Sequence, residues 1–172
     1  MQTYVNEFDK DKVDITDGKR AESNFVRLFK NKFGVEPLRA TEFDDKHNHI
    51  DFYLIVKKGD TTHKTTTDIK SWKKEPEHVW VELVSYGKLG WLYGKADYIG
   101  FEMPDEKSFI MVKRVALVSL IKTACVAEFT NNKDEALFRL YVRYKGKDND
   151  MYDCITKIPR SRLLEIEHWV LE

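Results

Sequence analysis

Two β-rich runs restrict the fold of this chain more than any other feature: HIDFYLIVK at 49–57 and HKTTTDIKSW at 63–72, separated by KGDT. Both are dense in β-branched and aromatic residues, and the Gly-Asp between them is a turn signal, so a hairpin is predicted. With Gly59-Asp60 as a two-residue turn, Lys58 pairs with Thr61. Counting outwards sets Asp51 opposite Asp68 and His49 opposite Lys70. Directly opposed residues point to one face with Cβ atoms roughly 5 Å apart. Aspartate is disfavoured inside strands, and two facing carboxylates repel unless something positive sits between them. Lys70 lies two residues beyond Asp68 and shares its face, while Ile69 points the other way, into a core. A longer turn would move the register but leave both carboxylates on neighbouring strands.

The rest of the pattern supplies layers around that hairpin. GKRAESNFVRLFKNKF, 18–33, places Phe25, Val26, Phe29 and Phe33 on one helical stripe, with Asp17 as N-cap and Gly34 just past the end. Glu22 falls on the same stripe, where an unpaired charge is costly to bury. HVWVELVSY at 78–86 alternates as a third strand, and ADYIGFEM and SFIMVKRVALV are predicted to follow as strands. VALVSLIKTACVAEF is predicted helical through Leu117, Leu120, Ile121 and Ala124. ALFRLYVRYK and MYDCITKI form two more strands around a KGKDND turn, and SRLLEIEHWVLE after Pro159 closes the chain as a short helix. The order helix, strands, helix, two strands, helix indicates a mixed α/β layout with a hairpin-rich central sheet. At 172 residues, one domain over 1–172 is expected.

Composition excludes several classes. Hydrophobic residues at 42% and aromatics at 13% suffice for a core. The longest apolar run, VALVSLI, is far shorter than a membrane span and ends at Lys122, so no membrane partner is expected. MQTYVNEFDK lacks the layout of a signal peptide. Cys125 and Cys154 are the only cysteines and are read as small interior hydrophobes of a reduced, cytoplasmic protein. Lys and Arg total 29, as do Asp and Glu. That balance argues against long-range electrostatic capture as the main source of affinity for a nucleic acid, though a basic rim can surround an acidic site.

Two carboxylates and an ammonium converging at one spot are the parts of a metal-assisted phosphodiester hydrolysis. Mg²⁺ takes oxygen ligands, typically one or two carboxylates with water and phosphate oxygens. A neighbouring lysine orients the attacking water or stabilises charge on the phosphate. Asp51 followed by Asp68-Ile69-Lys70 resembles the core motif of the PD-(D/E)XK nuclease superfamily, whose fold is restriction-endonuclease-like. The resemblance covers roughly the first hundred residues. The segment WVELVSYGKLGWLYGKADYIGFE is similar to small phage and bacterial members, in which a Gly-Trp-Leu stretch leads into an Ala-Asp strand. Ile50 replaces the motif's proline, and Asp68 stands where glutamate is commoner.

The resemblance implies a restriction-endonuclease-like α/β fold and a Mg²⁺- or Mn²⁺-dependent nuclease. Its substrate would be DNA, cut internally by metal-activated water. Asp51, Asp68 and the Ile69 carbonyl would hold the metal, Lys70 would be the catalytic lysine, and Glu22 would complete the site. Glu82 on the next strand is a candidate auxiliary ligand. Lys73, Lys74, Lys88 and Lys95 are candidates for contacts to the nucleic-acid backbone, with Trp91 and Leu92 packing among them. The tripeptide His47-Asn48-His49 is a polar lead into the first strand of the hairpin, with His49 near the phosphate in the predicted register. A homodimeric junction resolvase or repair nuclease of the same fold, and an inactive nucleic-acid-binding module, are the alternatives.

Overall fold

The computed structural model describes residues 7–71, 75–145 and 151–172. In chain order the elements are α1 (Glu7–Phe33), β1 (Leu38–Arg39), β2 (Phe52–Lys58), β3 (Thr61–Lys70), β4 (His78–Ser85), β5 (Lys88–Leu89), β6 (Tyr98–Glu102), β7 (Phe109–Lys113), α2 (Arg114–Ala124), β8 (Phe129–Thr130), β9 (Leu140–Lys145), β10 (Met151–Pro159) and β11 (His168–Leu171). The chain is mixed α/β with two mixed sheets. The first has the order β1-β2-β3-β6-β7-β11 and the second β5-β4-β10-β9-β8. Among the described residues no helix is long and apolar enough to cross a membrane.

The hairpin forms in the predicted register, from Lys58 opposite Thr61 to Phe52 opposite Thr67. Beyond that ladder the Asp51 N–H donates to the Thr67 carbonyl at 2.9 Å, and the Ala40 N–H donates to the Asp51 carbonyl at 2.8 Å. The backbone of Asp51 is thus tied on both sides.

Alternation on the first sheet divides the interior into two cores. Phe52, Leu54, Ile69, Phe109, Met111 and Leu171 face Ala21, Phe25, Leu28 and Phe29 of α1. The Phe25 ring lies 5.5 Å from that of Phe52 and 5.6 Å from that of Phe109. Burying one such side chain is worth roughly 2–3 kcal/mol. On the opposite face Ile99, Phe101, Ile110 and Val112 pack against Val79, Val81 and Ile158 of the second sheet. Leu117, Leu120 and Ile121 of α2, with Trp91 and Leu92, complete this core.

Five expectations need correction. The first helix begins at Glu7, not after Asp17, although Gly34 ends it as predicted, with φ of 72°. The strands do not make one central sheet. The place beside β3 is taken by β6, running parallel, with Asp68 opposite Ile99. Side chains fix that junction: the Thr66 N–H and Oγ1 donate to Asp97 Oδ2, and the Asp97 N–H donates to Thr66 Oγ1. β4 pairs instead with β10, which carries Val79 and Val81 into the layer below. The predicted 108–118 strand stops at Lys113, where α2 starts. The C-terminal segment is not an α-helix. Residues Arg160–Glu165 form 3-10 turns, and His168–Leu171 pair antiparallel with β7 as an edge strand. Only Leu163 and Leu171 of that segment bury fully apolar side chains, too few for a helical face, whereas the open edge of β7 accepts a strand. Finally, His49 is not opposite Lys70. It lies outside β2 with φ of 52°, capping a π-helical turn at Asp44–Asn48. The predicted turn at 145–150 beyond Lys145, and Lys73 and Lys74, lie outside the described residues.

Candidate active site

Alternation on β3 sends Ile69 into the core beneath α1 and leaves Asp68 and Lys70 on the other face. Gly100, opposite Ile69, makes this packing possible. A Cβ there would sit 2.8 Å from Ile69 Cδ1 and 2.9 Å from Met111 Sδ. Asp68 is 2 % exposed. Its Oδ1 accepts from Lys70 Nζ at 2.7 Å. The Ile69 N–H donates to Asp51 Oδ2 at 2.6 Å, which turns the Asp51 carboxyl towards β3.

The electrostatics of this pair are strained. Burial, and then the charge of Asp68, push the Asp51 carboxyl up to about 7, against the pull of Lys70 and the Ile69 N–H. Burial also raises Asp68, although Lys70 draws it down. The two carboxyls thus act on each other across the hairpin, the charge of Asp68 raising Asp51. Asp68 Oδ2 is buried and receives no hydrogen bond among the described residues. Burial opposes the charge of Lys70, but Asp68, Asp51 and Glu82 outweigh it and raise the ammonium. His49 is held below its usual range by burial and by Lys70.

An orphaned buried carboxylate oxygen beside a second carboxylate fits a hard divalent cation. Asp51 and Asp68 would hold it. Among the described residues no group of three or more His, Cys, Asp or Glu side chains gathers into a metal cage. A Mg²⁺-like ion, which keeps several waters and takes few carboxylates, suits such a donor set better than a metal needing four protein ligands.

The segment after β5 closes over the pair. Lys70 Nζ lies 5.0 Å from the centre of the Trp91 ring. The Trp91 N–H donates to Glu82 Oε1 at 3.4 Å. Gly90 is required for that approach, because a Cβ would lie 2.6 Å from the Glu82 carbonyl oxygen and 2.8 Å from Glu82 Cγ. At Gly94 a Cβ would lie 2.8 Å from both the Asn48 carbonyl oxygen and His49 Cβ. The Lys95 N–H also donates to Asn48 at 2.7 Å, so the 44–49 turn and the Trp91 segment hold one another.

Of the residues the sequence singles out, Asp51, Asp68 and Lys70 come together, with the charge of Glu82 acting on Lys70 and on His49. Glu22 is elsewhere in orientation. It ion-pairs with Arg39, whose guanidinium lies over the Phe52 ring on the α1 side of the sheet. Lys88 and Lys95 are exposed, Lys88 on β5 and Lys95 close enough to Asp44 to act on its charge. Two roles escaped the sequence reading, although Trp91 itself was expected to pack here. Asp45 acts electrostatically on both Asp68 and His49. Trp91 is a core residue that also faces Lys70. The acid-rich DDKHN ahead of Asp51 was a signal for the first. The second had none, because a Trp between glycines reads equally well as packing alone.

No protein-family model, curated protein or solved structure matches this chain.

Proposed function

We propose that this chain is a Mg²⁺- or Mn²⁺-dependent nuclease with a restriction-endonuclease-like core, cutting phosphodiester bonds in DNA. The observation that carries this reading is the buried Asp51–Asp68 pair, left with an unpartnered oxygen and with Lys70 on the same face. A divalent cation bound there would supply Lewis acidity, lowering the pKa of a water and neutralising charge on the phosphate. Asp51, oriented by the Ile69 N–H, and Asp68 contribute the negative charge that binds it. Lys70 contributes a fixed positive charge beside the scissile phosphate, where developing charge is stabilised in a partly dry site. The exposed Lys88 and Lys95 are the remaining candidates for backbone phosphates among the described residues.

The test is purified protein with Mg²⁺ on circular, linear, single-stranded and branched DNA and on RNA. Cleavage that is abolished by chelation and by Asp68→Asn supports the reading. Wild-type cleavage by Asp68→Asn removes it.

One observation favours a second reading, an inactive nucleic-acid-binding module: Glu22, which would complete the site, is engaged by Arg39. Calorimetric Mn²⁺ titration separates the two. Absence of binding, or binding unchanged in an Asp51→Ala, Asp68→Ala double variant, selects the module.

A further inference from the structure

Lys70 faces a conflict that its own strand does not resolve. Its ammonium bonds Asp68 Oδ1 at 2.7 Å, the carboxylate a cation would need. A cation on the free Oδ2 would put a second positive charge on the same carboxylate, where it repels the ammonium and weakens the hold of Asp68 on it. The ammonium then gains from a further partner whenever Asp68 is engaged.

The Trp91 segment provides one. The ring is 8 % exposed, packs edge-on to Phe101 at 6.0 Å, and stands 5.0 Å from Lys70 Nζ. An indole face is the strongest aromatic seat for an ammonium, more so when water is excluded. Glu82 supplies the charge. It acts on Lys70 and His49, and its Oε1 is fixed by the Trp91 N–H. Gly90 permits the backbone approach that makes this bond.

We propose that Trp91 and Glu82 form a second seat for the Lys70 ammonium, holding it beside the Asp51–Asp68 pair when Asp68 is engaged by a cation. Glu82 is then a positioning residue for Lys70 and not a metal ligand. The proposal rests on the cation-binding reading of that pair.

The experiment is NMR of the lysine side-chain signals of the full chain, with and without Mg²⁺. Lys70 is assigned by loss of its signals in Lys70→Arg. In wild type the Lys70 methylene protons carry a ring-current shift from Trp91 in both states. In Trp91→Leu that shift is absent and the ammonium signal broadens on adding Mg²⁺. Trp91→Phe, which keeps an aromatic face, restores a sharp signal. Mn²⁺ affinity by calorimetry stays within about twofold of wild type in Glu82→Gln but falls at least about tenfold in Asp68→Asn. Cleavage by Glu82→Gln and Trp91→Leu loses roughly 10- to 100-fold in kcat with KM little changed. Should Trp91→Leu fail to fold, Glu82→Gln decides: its Lys70 ammonium signal broadens on adding Mg²⁺ if the seat is right and stays as in wild type if it is wrong.

If Lys70 in Trp91→Leu responds to Mg²⁺ as in wild type while Asp68→Asn loses Mn²⁺, the seat is wrong and the cation site stands. If Glu82→Gln loses Mn²⁺ as Asp68→Asn does, Glu82 is a ligand and the seat is again wrong. If wild type binds no Mn²⁺, the cation reading falls and the seat falls with it.

Discussion

Among the described residues, three acids are buried to 2 % exposure or less, and they are treated in two different ways. Both oxygens of Glu102 accept from the Arg20 guanidinium, at 2.9 and 2.8 Å, and Asn24 adds a third bond. Asp153 takes the Tyr86 N–H on one oxygen and Arg143 on the other. Asp68 has Lys70 on one oxygen, no donor on the other, and a second acid against it. Glu102 and Asp153 show that this fold can fully satisfy a buried carboxylate. The deficit at Asp68 is local, and it is of the kind a bound cation would relieve.

Asp68→Asn separates the two kinds of buried acid most strongly. Metal-dependent cleavage is expected to fall about a thousandfold or more, while the urea midpoint stays at or above that of wild type, because a neutral amide relieves the like-charge contact. A large loss of stability would mean that Asp68, like Glu102, is a structural ion-pair partner.

Glu102→Ala carries the opposite expectation. It removes the carboxylate that takes both nitrogens of the Arg20 fork, leaving Glu106 on one of them, and opens a cavity. The cost should be about 2–3 kcal/mol in urea unfolding, below the value for a fully buried pair because Arg20 is 36 % exposed.

Asp51→Asn should stabilise the metal-free protein by on the order of 1–2 kcal/mol near about pH 8. The sign follows from a carboxyl raised to about 7. Between its ordinary range and that value the folded chain keeps a proton that the unfolded chain has released. Wild-type stability from this group therefore falls as pH rises through that window, and the neutral amide avoids the fall. The gain should vanish near about pH 4, as read by denaturation at a series of pH values. Mn²⁺ affinity in wild type should rise across the same window, by up to about tenfold per pH unit.

The smallest effect belongs to Glu22→Gln. Its partner Arg39 is 63 % exposed, so the stability cost should stay below about 1 kcal/mol. A thousandfold loss of cleavage in this variant would instead place Glu22 in the reaction and bring the α1 side of the sheet into the site.

Much of the site was legible because it is local. Asp51 and Asp68 are joined by a hairpin whose turn fixes the register, and Lys70 follows from strand periodicity. The amphipathic face of α1 was equally clear from Phe25 and Phe29. What failed was non-local. Nothing in HVWVELVSY distinguishes a neighbour of β3 from a neighbour of β10, since both need alternating apolar residues. Nothing in SRLLEIEHWVLE announces that the vacant edge of β7 will take His168–Leu171 as a strand.

The hairpin, its register, and the convergence of two acids and a lysine are encoded locally, because turn geometry and a two-residue period act over short distances. Tertiary structure decided how those charges are completed. The parallel pairing of β6 on β3, the diversion of β4 into a second sheet and the close approach at Gly90 and Gly94 bring Trp91, Glu82 and His49 to Lys70. These are contacts between segments twenty or more residues apart in several cases. They depend on which faces bury together, and no local spacing encodes that.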